Sequence, residues 1–421
     1  MSSSLSFFSF FNLAQSGQQK LRCLRVGVLL LLSLAASANA QMAAVRPEVA
    51  KSLQLAQDAL NAGQAENAIT HAQEALSIQG GTDAEKAVIQ RTLAVAALNA
   101  KNFSLAVSTL EAMIQELPEG SPAEQKLPLI ENLLSASQQA KDLPRLATWA
   151  QTYLKLDGSN PSVRPVLIQT LSVLNRHAEV VQEVKEKIRL DEAAKVKTPE
   201  SDWRLLAFSQ RQLKDDAAYN NTLKILLQNY PSKAYWAELI ARLARQANFN
   251  PRFELDLYRI QELTGNLVET LEYVDMANFA LKAGLPSEAA RVVELAYAAG
   301  LMGKGSDAFN HQKLRQQIQQ DVKDDEKALP TLEKSAKDAN AFASLANVYA
   351  SQQKWDQAHV LYSKALAMGG LRREAETRLH AGIALHKLGQ KVEAVKMWDS
   401  IKGEATAVDL AYLWKTWQSQ N

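Results

Sequence analysis

The chain is poor in several residue types, and each shortage closes off a class of protein. It has a single cysteine, Cys23, in 421 residues, so it cannot close an internal disulfide or build a thiolate metal site. Glycine (17) and proline (12) are scarce for the length, which fits a chain made mostly of helix. The formal net charge is only +2, from 47 basic and 45 acidic residues, and no long basic run occurs. Bulk charge therefore gives no case for nucleic acid. Composition is otherwise that of a globular protein with a large core, 47% hydrophobic and 22% charged.

Catalytic signatures are missing as well. The six histidines are His71, His177, His311, His359, His380 and His386; none forms HExxH or sits four residues from another. His380 and His386, six apart, should face different sides of a helix, and each reads as a surface or packing residue. No GxSxG is present. Gly300-Leu301-Met302-Gly303-Lys304-Gly305 lacks both the preceding strand and the Gly-Lys-Ser/Thr ending of a phosphate loop, so it reads as a connection between helices. Carboxylates are scattered at helical spacing, with no pair placed as acid and base. The expectation is a protein without catalytic residues, metal or cofactor.

What is present begins with a targeting segment. Lys20, Arg22 and Arg25 precede an apolar run, Val26 to Ala36, and Ala38-Asn39-Ala40 supplies small residues at a cleavage point. Eleven apolar residues are too few to span a bilayer, which takes about 20. Residues 1–40 are expected to be a signal peptide cleaved near Ala40, directing the chain to the periplasm. Cleavage would remove Cys23 and three basic residues, leaving one more acidic than basic side chain. Cys23 precedes the apolar run, which argues against lipidation. Met1 to Gln19 is long for such a leader and raises the expectation of a start further in. No second apolar run approaches membrane length, so no membrane span is expected after cleavage.

The rest of the chain keeps a beat, clearest in Ala339 to Gly370. There two amphipathic helices flank a short polar turn. Ala346, Ala358 and Ala365 sit where the helices must cross closely, and Phe342, Leu345, Tyr349, Trp355 and Tyr362 fill the space between. These residue types at these offsets resemble the 34-residue tetratricopeptide repeat, with Gly370 in place of its usual late proline. Using this unit as a ruler, turns fall near residues 63, 101, 142, 176, 214, 248, 284, 324, 353 and 389, at spacings of roughly 29 to 41. The unit turning at Asn175-Arg176-His177 is degenerate, and the eighth, from Ala308 to Asp338 with its turn near Lys323-Asp324-Asp325, is poor. Thr198-Pro199-Glu200-Ser201 offers capping chemistry before Trp203. Tyr219 occupies a slot where alanine is usual, which predicts a wider crossing.

The fold class expected is all-α, a right-handed superhelical solenoid of about ten tetratricopeptide-like helix pairs. Residues 41–190 hold the N-terminal repeats, 191–403 the central and C-terminal repeats, and 404–421 a helix that covers the end of the stack. That last helix carries Leu410, Leu413, Trp414 and Trp417 on one side; docking to a partner is its other reading. In such a stack, first-helix positions line a groove. The ruler places Arg204, Phe208, Arg211, Asn278 and Asn347 there, where arginine and asparagine can hold a peptide backbone or carboxylate. Solvated groove residues without a ligand would follow the same pattern, and the lysine-asparagine set of carboxylate-clamp chaperone adaptors is not present in adjacent repeats.

A narrower resemblance rests on the repeat near Trp203, the link Tyr230-Pro231-Ser232-Lys233-Ala234-Tyr235-Trp236, and Gly369-Gly370-Leu371-Arg372-Arg373. These stretches, in the second half of the chain, resemble periplasmic tetratricopeptide proteins associated with the TonB system of Gram-negative bacteria. The resemblance implies a non-catalytic scaffold whose partners are proteins: TonB-system components or other parts of the cell envelope. A scaffold for envelope assembly or polysaccharide export is the alternative.

Overall fold

Two adjacent residues do most of the work of folding this chain into hairpins. At the end of a first helix, one residue takes the left-handed conformation: Gly63, Lys101, Lys141, Asn175, Lys214, Gly284, Gln353 and Gly389 all have φ between +56° and +77°. The next backbone N–H then reaches back five residues to close the helix, as in Asn102 to the Ala97 carbonyl (2.8 Å), Asp142 to Ser137 (2.9 Å) and Asp215 to Gln210 (3.0 Å). This is the Schellman stop. In three of the turns that same next residue starts the second helix. Asn102, Asp142 and Asp215 each accept from the backbone N–H three residues on, satisfying a donor that the helix start leaves unpaired. One dipeptide ends one helix and begins its antiparallel neighbour.

The computed structural model describes residues 45–157 and 161–421. The expected signal peptide and Cys23 lie outside the described residues. Within them are twenty α-helices and no strand. They divide into two compact units, ending and beginning at Thr198 and Pro199.

In the first unit the helices pair as α1 (Pro47–Asn61) with α2 (Ala65–Ser77), α3 (Asp83–Asn99) with α4 (Phe103–Gln115), α5 (Ala123–Ala140) with α6 (Leu143–Leu156), and α7 (Val163–Val173) with α8 (His177–Ala193). Each pair packs on the next in chain order. The small residues picked out by the ruler are at the crossings: Ala56, Ala68, Ala106 and Ala147 are wholly buried. A capping box, Thr82 with Glu85, starts α3. The same Glu85 carboxylate takes the Arg46 backbone N–H (2.8 Å) and its guanidinium Nε (3.1 Å), pinning the start of α1 to the start of α3.

The second unit pairs α9 (Glu200–Gln212) with α10 (Asp216–Asn229), α11 (Lys233–Ala244) with α12 (Glu254–Leu263), and α13 (Thr270–Lys282) with α14 (Pro286–Ala298). After α15 (Ala308–Ser335) come α16 (Ala339–Ser351) with α17 (Trp355–Met368), α18 (Glu374–Lys387) with α19 (Lys391–Asp399), and α20 (Ala405–Gln420). Ala277, Ala289, Ala296, Ala346, Ala358 and Ala365 are wholly buried, as the repeat pattern requires. Tyr219 is buried in its alanine slot, with the Arg242 guanidinium 4.7 Å from its ring centroid.

Two expectations fail. No turn forms at Lys323-Asp324-Asp325: α15 runs unbroken for 28 residues. The Lys-Asp dipeptide that turns the chain at Lys141-Asp142 and Lys214-Asp215 stays helical here, and Asp324 bonds along the helix to Gln320 and Lys327. Nor does Thr198 cap α9. The N-cap is Pro199, which has no side-chain oxygen, and Glu200 and Asp202 in the first turn supply negative charge at the helix start.

The second unit also departs from a linear stack, in which each repeat touches only its neighbours. Helix α20 packs on α18 and α19 and, in addition, on α12. Gln420 donates to the Leu227 carbonyl (2.7 Å), Gln228 to the Tyr412 hydroxyl (3.3 Å), and the Asn250 backbone N–H to Thr406 Oγ1 (3.0 Å). A single apolar core joins Leu223, Trp236, Phe253 and Ile260 to Leu379, Trp398, Leu410 and Trp414. The end of this unit is folded onto its beginning.

Gly382 is the tightest point of that core. A Cβ there would meet the Trp398 indole at 2.2 Å, and the indole is held by its N–H bond to the Leu379 carbonyl (3.1 Å). Gly382→Ala should therefore destabilise the second unit by about 1–3 kcal/mol, the range for overpacking a filled core, read as a lowered urea midpoint. His386, one turn on, lies among the rings of Trp398, Trp414 and Trp417, at centroid distances of 6.4, 6.1 and 5.4 Å. Burial holds its pKa below the free value of 6.5, against the opposing bond to Gln418. The unfolded chain thus binds this proton more readily, so stability is intact above about pH 6.5 and falls as pH drops below it. His386→Leu should flatten the dependence of melting temperature on pH between about 5 and 7.

Candidate functional site

Closure of the second unit leaves a cavity of about 390 Å³ inside it. Helix α12 contributes Arg259, Glu262 and Leu263; α14, Glu288 and Arg291; α16, Asn347, Ala350 and Ser351; α17, Trp355 and Tyr362; α18, His380, Ile383 and Lys387; and α20, Trp414. Gln353, in the α16–α17 turn, also lines it. Gln353 and Lys387 are exposed and face solvent, whereas the wall behind them is buried or nearly so.

The back wall is one connected network. Arg259 places Nε and Nη2 on the two oxygens of Glu288 (2.8 and 2.6 Å) and Nη1 on Asp256 Oδ1 (2.8 Å). His380 sets Nε2 against the same Asp256 oxygen (3.0 Å) and Nδ1 against Asn347 Oδ1 (3.1 Å). Arg259 Nη1 also lies 3.3 Å from the same Nε2, so the ring sits between α12 and α16 within one network. The Tyr362 hydroxyl donates to the same Asn347 oxygen (2.5 Å). Asp256 is 3% exposed and Glu288 6%. Burial alone would raise both carboxyl pKa values. The His380 and Arg259 charges outweigh it for Asp256, holding it at about 2, and Arg259 does the same in direction for Glu288. Burial drives the Tyr362 phenol up, so it stays a donor.

In front of this wall, Arg291 forks onto Glu262, with Nη2 2.8 Å from Oε2. The bond to Glu262 raises the guanidinium pKa against the cost of burial. The cavity therefore holds no unpaired carboxylate to serve as a base: Glu288 is spent on Arg259, and Glu262 on Arg291. Two donors have no partner. Lys387 makes no hydrogen bond or ion pair; the surrounding protein lowers its pKa, with Glu262 pulling the other way. The Trp414 indole N–H is buried and unpaired. Among the described residues, no group of three or more His, Cys, Asp or Glu side chains could hold a metal. None of the described helices is long and apolar enough to cross a membrane.

Of the five groove residues expected from the sequence, only Asn347 lines this cavity. Arg204, Arg211 and Asn278 are exposed elsewhere on α9 and α13, and Phe208 is half-buried. His380, read as a surface or packing residue, is instead the hinge of the network. Its partner Asp256 lies 124 residues away in sequence, and no local motif links them. The one local trace is Asp256 and Arg259, three apart on α12, a spacing common on any helix.

No family model matches the sequence, and no curated protein matches it. Solved structures that align with it include three tetratricopeptide-type helical proteins. A tetratricopeptide repeat protein from Parabacteroides merdae is 10% identical, over 80% of this chain and 98% of that one, at a TM-score of 0.28. Yeast Tom70 is 12% identical, over 89% and 96%, at 0.24. The TPR2AB domain of yeast Sti1, solved as a pHSP90 complex, is 11% identical, over 88% and 98%, at 0.24. Superpositions this loose add nothing to the helical-repeat assignment, which rests on the hairpins themselves.

Arg259→Met would strand the buried Glu288 and leave Asp256 with His380 alone. It should cost about 3–5 kcal/mol, the penalty for breaking a buried ion pair from one side, read by urea denaturation. Arg291→Met, at a pair that is about a third exposed on each side, should cost about 1 kcal/mol or less.

Proposed function

We propose that this chain is a non-catalytic, exported scaffold that binds other proteins, working as an accessory component of TonB-dependent transport. The observation that carries the binding reading is how the hairpins divide their residues. The small residues are consumed at helix crossings, as at Ala207 and Ala277, while α9 and α13 leave the long polar side chains Arg204, Arg211 and Asn278 at the surface. Helical-repeat stacks present such first-helix side chains to extended partners. Export is supported by the basic and apolar leader ending at Ala38-Asn39-Ala40. The TonB assignment is supported by the resemblance around Trp203, Tyr230 to Trp236 and Gly369 to Arg373.

The test uses the tagged full-length chain in its native cell envelope. N-terminal sequencing of the mature protein should begin at Gln41. Mild crosslinking followed by immunoblotting should recover TonB or its inner-membrane partners above the level given by an unrelated helical-repeat protein. The double variant Arg204→Glu, Asn278→Ala should lower that recovery about tenfold, the scale of losing an interface anchor. Recovery no better than the control would overturn the scaffold reading, and a mature N-terminus at Met1 would overturn export.

A further inference from the structure

The cavity inside the second unit has a chemistry of its own, independent of the surface that the scaffold reading uses. The charged side chains lining it are Arg259, Arg291 and Lys387 against Glu262 and Glu288, and the His380 ring that also lines it sits on Asp256 in the wall behind. The arginines are already matched: Arg259 by Glu288 and by Asp256 just behind it, Arg291 by Glu262. Left over are two donors, Lys387 and the Trp414 N–H, and the exposed Gln353 amide. Lys387 has no ion pair, and the Trp414 N–H, on a side chain 3% exposed, has no acceptor. An unpaired buried donor costs about 1–3 kcal/mol and is rare enough in native proteins to need a reason. Both side chains line the same cavity. Beside them the walls are apolar or aromatic, from Leu263, Ala350, Trp355 and Ile383.

We propose that this cavity binds a small organic monocarboxylate group attached to an apolar or aromatic body, with Lys387 and the Trp414 N–H taking the carboxylate and Trp355 and Ile383 the body. One surplus positive charge among the lining groups matches one negative charge. A phosphate monoester, with nearly two, would leave a charge unpaired in a partly desolvated site. The volume suits a compact ligand or the last residue of a chain, since ligand cavities of about 300–1,000 Å³ take small molecules of this kind. The carboxylate could belong to a free acid or to a polypeptide C-terminus; the chemistry at Lys387 is the same for both.

The full chain is titrated by calorimetry and by tryptophan emission with 3-phenylpropionate and with acetyl-Gly-Gly-Phe, each against its carboxamide. The carboxylate should bind at least about tenfold more tightly than its amide, because a charge-assisted bond is lost. Lys387→Met should weaken it by a similar factor and abolish the preference over the amide. Lys51→Met, which removes a lysine from α1 in the first unit, should change nothing. Trp414→Phe should weaken binding several-fold. Binding of phenylpropionate alone would assign a free acid, and binding of both would assign a chain terminus. The proposal fails if neither carboxylate binds at about 10 mM, if amide and acid bind equally to the native chain, or if Lys387→Met binds as the native chain does. The acid-against-amide comparison needs no variant, so it stands even if a substitution impairs folding. Failure here leaves partner recovery through Arg204 and Asn278 untouched.

Discussion

The second unit depends on the Arg259 guanidinium. It is the one group that touches both buried carboxylates, Glu288 on α14 and Asp256 on α12, and Asp256 in turn holds His380 on α18. Through His380 the network reaches Asn347 on α16 and Tyr362 on α17. Helices α12 and α14 are thereby tied to the consecutive helices α16, α17 and α18 further along the chain. Buried ions rarely add stability over well-packed apolar residues. What such a network supplies is geometry, since only one arrangement of α12, α14, α16, α17 and α18 satisfies every member. The apolar core around Trp398 and Trp414 provides bulk burial, and the ion network fixes how the halves of the unit meet.

The hairpins were legible in the sequence because their determinants are local. A small residue at a crossing and a left-handed residue followed by Asn or Asp at a turn act within a few positions, so Ala346, Ala358 and the Lys101-Asn102 and Lys214-Asp215 turns could be read directly. The dipeptide is not sufficient by itself. The beat placed a turn at Lys323-Asp324-Asp325, which carries the same Lys-Asp pair, but Asp324 bonds along the helix to Gln320 and Lys327 and α15 continues.

Closure was not legible, for a physical reason. A repeat pattern describes how each hairpin meets its successor and is silent on contacts between residues 228 and 412 or 256 and 380. The amphipathic character of α20 showed that its Leu410 and Trp414 face must be covered, and the structure shows by what: α12 as well as α18 and α19. The same limit applies to the site. Asn347, which lines the cavity, occupies a regular first-helix position. Asp256, Glu288 and Lys387 acquire their roles only once distant helices meet, and His380, isolated in sequence, offers no pattern to find.

The two units therefore differ in when they can be finished. In the first, helices meet their immediate neighbours or, as α1 and α3 do, the next but one, so each hairpin can settle soon after it is made. In the second, α10 to α12 keep part of their apolar surface uncovered until α20 arrives, close to two hundred residues later. Contacts of such long sequence separation slow folding, because the chain must be closed into a loop before they form. During synthesis, which delivers a chain end first, this half stays open until its final helix is made. It is the half whose apolar core is complete only when its final helix docks.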